Sequence, residues 1–156
     1  MRTGASGYAA LAFGLGVFGF SVLELFSYLQ GFYVLYLGDT IMLALAFGLA
    51  SLLCAFLLGG LLRWARGWRI VVAALPYFVV FALVGGVLYG LLLLPFLGRA
   101  PAADDVGMAL FYTPVYVTEM LLRNWFLSVP LGLSSLWLLR NARRAREPRV
   151  RRVYGL

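Results

Sequence analysis

The chain contains no histidine and no lysine, a single cysteine, and only six acidic residues among 156. Each shortage removes a class of chemistry. Without histidine there is no imidazole ligand for haem or zinc and no Ser-His-Asp nucleophile. One cysteine, Cys54, forms no disulfide within the chain and builds no thiolate cage. Cys54 lies deep in an apolar run with no charged neighbour to activate it, so packing is its expected role. The carboxylates never fall in pairs at metal-ligand spacing. No cofactor, no metal and no enzymatic activity are therefore expected.

Charge as a whole is scarce. Charged residues make up 12% of the chain and hydrophobic ones 63%, with a mean hydropathy of +0.94. Soluble domains carry about 25% charge and about 45–50% apolar residues. The excess apolar surface predicts a chain covered by lipid, with room for one membrane domain and no separate soluble one. A net charge of +7 raises the question of nucleic acid. However, the arginines cluster at the ends of apolar runs, and the basic tail holds only Tyr154 as an aromatic ring for base stacking. Nucleic acid is not an expected partner.

What is present is a series of long apolar runs. About 20 such residues cross the hydrocarbon core as a helix. The pattern predicts an all-α integral membrane four-helix bundle over 1–139, with spans at about 8–29, 40–62, 70–97 and 115–139, and then a basic tail at 140–156. The first run exceeds the hydrophobic stretch of a signal peptide and is read as an uncleaved span. Gly14, Gly16 and Gly19 thin the first span, and Ala44, Gly48, Ser51, Ala55 and Gly59 form a small-residue seam in the second. Gly86 and Gly90 make a GxxxG pair in the third. Such seams let helices approach closely in lipid. The last apolar run, 108–139, exceeds one crossing. A break near Pro114 is expected there, leaving 108–113 as a short interfacial or re-entrant helix, with Asp104 or Asp105 as the cap at its start.

Four spans put both termini on one side. That side holds eleven arginines outside the spans: Arg2, the three at 63–69, and seven in the tail. The opposite side holds Arg99 with Asp39, Asp104 and Asp105. The positive-inside rule then makes both termini cytoplasmic, and the expected location is a prokaryotic cell membrane. Arg63, Arg66 and Arg69, interleaved with Trp64 and Trp68, and Arg143, Arg144 and Arg146 in the tail are expected to meet anionic lipid headgroups at the cytoplasmic face.

A few charged and polar residues remain inside the spans. Glu119 and Arg123 are one helical turn apart, Tyr112 and Tyr116 extend their face, and Asn124 lies about 100° round from Arg123. Glu24 sits in a stripe with Ser21, Ser27 and Tyr28 late in the first span. With the expected topology, Glu24, Glu119 and Arg123 fall in the outer half of the bilayer. They form a candidate polar intramembrane cluster with Tyr112, Tyr116 and Asn124. The cluster admits two readings. One is a non-enzymatic subunit or accessory protein, whose seams pack against a second copy or a larger membrane complex. The alternative is a small homodimeric carrier or channel that uses the Glu24/Glu119/Arg123 cluster, with proton coupling.

Overall fold

A computed structural model describes residues 5–31, 37–64, 67–97 and 100–146. These residues form helices and short turns, and no strand occurs among them. Helix α1 spans Ala5–Leu29, α2 Leu37–Leu57, α3 Gly59–Trp64 and α4 Arg69–Leu93. A 3-10 turn at Leu94–Leu97, which contains Pro95, follows α4. Then come α5 (Ala103–Gly107), a π-helical turn (Met108–Tyr112), α6 (Thr113–Arg123) and α7 (Trp125–Arg146). Three helical stretches are long and apolar enough to cross a membrane: Ser6–Leu29, Thr40–Leu57 and Arg69–Leu93.

The last apolar run departs from expectation. Its break lies at Asn124, not at Pro114. Pro114 sits in the first turn of α6, directly after the π turn. A proline lacks the N–H that a continuing helix would use, and a wider turn before it accommodates that loss. Thr113 helps by donating its hydroxyl to Met108 O at 3.1 Å. Asn124 instead leaves helical geometry, with φ −102° and ψ 34°. Asparagine offers the backbone an alternative hydrogen-bond partner, which favours such interruptions. The predicted crossing at 115–139 is thus divided into an eleven-residue helix and a helix that ends in arginines. The second run also bends: α2 stops at Leu57 and the chain resumes as α3 after Leu58. At the start of α5, Asp105 accepts from the Ala102 N–H at 2.8 Å, so it is the aspartate that caps.

Close packing tracks the small residues. A side chain at Gly16 would strike the backbone carbonyl of Phe47, and one at Gly85 would strike its ring. Phe47 is fully buried, stacks on Phe20 with centroids 3.7 Å apart, and meets Phe81 edge-on at 5.2 Å. Phe47 therefore ties α1, α2 and α4 into one core with Val117, Met120 and Leu121 of α6. A second core gathers Tyr8, Ala12, Cys54, Leu62, Tyr77, Leu136 and Leu139 toward the other end of the bundle. The GxxxG pair has a definite partner. Gly86 receives Pro114 and Gly90 receives Ala109, so the seam on α4 holds the π turn and the start of α6. Outward, Phe18, Leu57, Val71, Leu75 and Trp137 stay exposed, as lipid-covered side chains would be.

Gly14 and Gly16 differ in what faces them: open space at Gly14, the Phe47 backbone at Gly16. Gly16→Ala is expected to lose about 1–3 kcal/mol through overpacking. Gly14→Ala is expected to be neutral or to gain up to about 1 kcal/mol from helix propensity. Unfolding midpoints in detergent for the two variants check this.

Candidate functional site

The polar residues divide into one outward and two inward groups. The outward group is the stripe on α6. Tyr112, at the end of the π turn, and Tyr116, Glu119 and Arg123 on α6 all lie on exposed surface. Arg123 Nη2 donates to Glu119 Oε1 at 2.9 Å; the side chains are 49% and 64% accessible. On the opposite face of α6, Pro114, Val117, Met120 and Leu121 are buried. An exposed i,i+4 pair in water is worth about 0.3–0.5 kcal/mol. Facing hydrocarbon, a charge costs roughly 2.5–3.5 kcal/mol on insertion scales, and the pairing offsets only part of it.

The first inward group lies where α1 ends and α2 begins. Glu24 is 9% exposed and turns toward α2, where it accepts from the Thr40 hydroxyl at 3.0 Å. One turn on, Ser27 meets the chain break. Asn124 is 1% exposed, and its Nδ2 donates both to Ser27 Oγ at 2.9 Å and to Met120 O at 3.0 Å. The same residue thus repairs the end of α6 and ties it to α1, 97 positions earlier. Ser128 completes the repair by donating toward Leu121 O at 2.9 Å and Asn124 O at 3.0 Å. Asn124 Oδ1 is buried without a hydrogen-bond partner among the described residues, and so is an acceptor open to a water or a ligand donor.

The second inward group lies at the other end. The Ala55 carbonyl, just before the α2–α3 bend, accepts from the Tyr8 hydroxyl at 3.2 Å and from Arg143 Nη1 at 3.3 Å. Arg143, read from the sequence as a headgroup contact, has its guanidinium against Gly59, where any side chain would collide with it. Arg69 stacks over the Trp64 ring at 5.4 Å, and Arg144 is exposed. Arg66 and the side chains of Arg63 and Arg146 lie outside the described residues. Between the two inward groups is a cavity of about 40 Å³, bordered by Ser51, Tyr77, Ser128, Gly132 and Ser135. A water needs about 10–15 Å³ of such space, so this cavity holds a few waters at most.

Of the six residues of the sequence cluster, Glu119 and Arg123 are paired, Tyr112 and Tyr116 share their outward face, and Asn124 and Glu24 point inward on separate partners. Sequence reasoning missed Ser128 and Tyr8 as polar contacts. Ser128 lies four residues after the asparagine, a spacing that would have flagged it had the break been placed there. Nothing local marked the Tyr8 hydroxyl as inward-facing. Compared with protein-family models, curated proteins and solved structures, the chain matches none.

The Ser27–Asn124 bond makes a quantitative expectation. In a double-mutant cycle of Ser27→Ala and Asn124→Ala, the coupling should be about 0.6–1.7 kcal/mol, the range of buried hydrogen bonds between membrane helices. Unfolding equilibria in mixed micelles measure it, and zero coupling would remove the contact.

Proposed function

We propose that the chain is a multi-pass membrane protein with four crossings and both termini cytoplasmic, acting as a non-enzymatic packing subunit. One observation supports this reading: the Glu119–Arg123 pair lies on the outer face of α6, beside the larger of two spaces between helices. The pocket of about 40 Å³ beside Ser51 and Ser128 admits little beyond water. On the outer surface, a groove of about 680 Å³ runs between α4 and α6 and is edged by the Glu119–Arg123 pair. In this reading α6 and α7 together make the fourth crossing, broken at Asn124. The arginine-rich end of α7 rests on anionic lipid at the inner face of a prokaryotic cell membrane.

A second reading has its own support. A helix interrupted at a buried polar residue is a feature of carriers, where broken helices line substrate and ion sites. The α6–α7 break at Asn124, beside Ser27 and close along α1 to Glu24, has that form. On this reading Glu24 would sit on a proton or ion path in a homodimeric carrier, with Glu119 and Arg123 also in play.

Two measurements separate these readings. Reporter fusions at the C-terminus should place it in the cytoplasm; an external reporter would overturn the four-crossing topology. Purified protein in liposomes should show no ion or proton flux above empty vesicles. Flux that Glu24→Gln reduces at least tenfold would establish the carrier instead.

A further inference from the structure

Toward the end of the bundle where the arginines gather, a groove of about 450 Å³ opens between α4 and α7. Ile70, Leu133, Trp137 and Leu138 give it apolar walls, and Ser134 is its polar residue. On α7, Leu133, Trp137, Arg140 and Arg144 follow one another at spacings of four, three and four. They therefore fall within about 60° of one another on one side of the helix. That stripe is apolar as far as Trp137 and cationic from Arg140 on. On α4 the same change comes between Ile70 and Arg69, with Trp68 just beyond it. Ile70 shares the groove with Trp137 and Leu138, so both walls turn from apolar to cationic at one level. Trp137 and Trp68 are 51% and 73% exposed there. Indole rings beside arginines, at the ends of apolar helices, mark the boundary between acyl chains and headgroups.

We propose that this groove is a binding site for one anionic phospholipid, with an acyl chain along Ile70, Leu133 and Trp137 and the phosphate between Arg69 and Arg144. The inference rests on the packing-subunit reading, which sets the arginine-rich end of α7 on anionic lipid, and adds a discrete site with its own ligand. A basic pocket between membrane helices is an arrangement that holds anionic headgroups. Arg69 is prepared for this. Its guanidinium stacks over the Trp64 ring at 5.4 Å, which uses the flat face and leaves in-plane N–H donors for phosphate oxygens. Arg144 is exposed on the other wall. Arg140, between Trp137 and Arg144, is steadied by Asn141, to whose Oδ1 its Nη2 donates at 3.2 Å, and its charge adds to the same stripe. A zwitterionic lipid would cover the walls equally well but would bring an ammonium group among these arginines. Soluble phosphate would meet the arginines and leave the walls bare. An anionic lipid satisfies both.

The test places the full-length protein in vesicles of equal parts phosphatidylglycerol and phosphatidylcholine with identical acyl chains. The protein is then extracted in mild detergent, and the lipid that stays bound is counted. Phosphatidylglycerol should be retained at least fivefold over phosphatidylcholine. Arg69→Gln with Arg144→Gln should bring that ratio below about twofold. Both side chains are exposed, so the fold should tolerate the change. Arg151→Gln with Arg152→Gln removes the same charge from the tail and should keep the ratio. Ser134→Trp fills the groove and should lower retained phosphatidylglycerol at least threefold with every arginine in place. Equal retention of the two lipids would overturn the site. So would a tail variant that loses as much as the groove variant, since net charge alone would then attract the lipid. Ser134→Trp protein that holds as much lipid as the unchanged chain would overturn it as well. Inorganic phosphate that displaces the lipid at millimolar concentration would reduce the site to a phosphate pocket and overturn the role of the apolar walls. Ion flux in liposomes would overturn the packing-subunit reading and leave the lipid ratio as measured.

Discussion

The constraint on which the structure depends is that a backbone polar group out of reach of water must find its partner within the protein. Continuous helices meet it automatically, which is why the described residues are helical almost throughout. The informative places are those where a helix is interrupted. At Asn124 the end of α6 is repaired by the asparagine's own side chain and by Ser128. At the α2–α3 bend the Ala55 carbonyl draws donors from Tyr8 and Arg143, on two other helices. In both places, the side chain that serves the backbone also fastens one helix to another.

Those two repairs lie at opposite ends of the molecule, and the aromatic core around Phe47 lies between them. The glycines make this possible by letting backbones approach until rings interleave: Gly16 on the Phe47 carbonyl, Gly85 on its ring, Gly86 and Gly90 under Pro114 and Ala109. In lipid, where hydrophobic burial offers little gain between helices, such contact and a few interhelical hydrogen bonds provide the cohesion. At the surface, the Glu119–Arg123 pair is the charged feature on the α6 face.

Most of the secondary structure was legible because apolar periodicity and length report directly on helices. The polar site was less so. The spacing of Glu119 and Arg123 put them on one face of a helix, as the structure has them, but a one-dimensional pattern carries no sign that tells inward from outward. Glu24 and Asn124 looked like members of the same cluster, yet they turn toward Thr40 and Ser27 respectively. Proline drew the predicted break to position 114, since losing an N–H is the most visible local defect. The π turn absorbed that defect, and the break moved to an asparagine whose partner lies on another helix.

From residue content alone come the helical class, apolar runs long enough to cross a membrane, the absence of histidine, and the glycine seams. These depend on composition and local periodicity, which need no knowledge of neighbours. Which glycine meets which ring, where the last run breaks, and whether a charge faces the core or the outside depend on contacts between residues up to 97 positions apart. Only the packed arrangement decides them, because a side chain's energy is set by what lies across from it and not by what lies beside it in the chain.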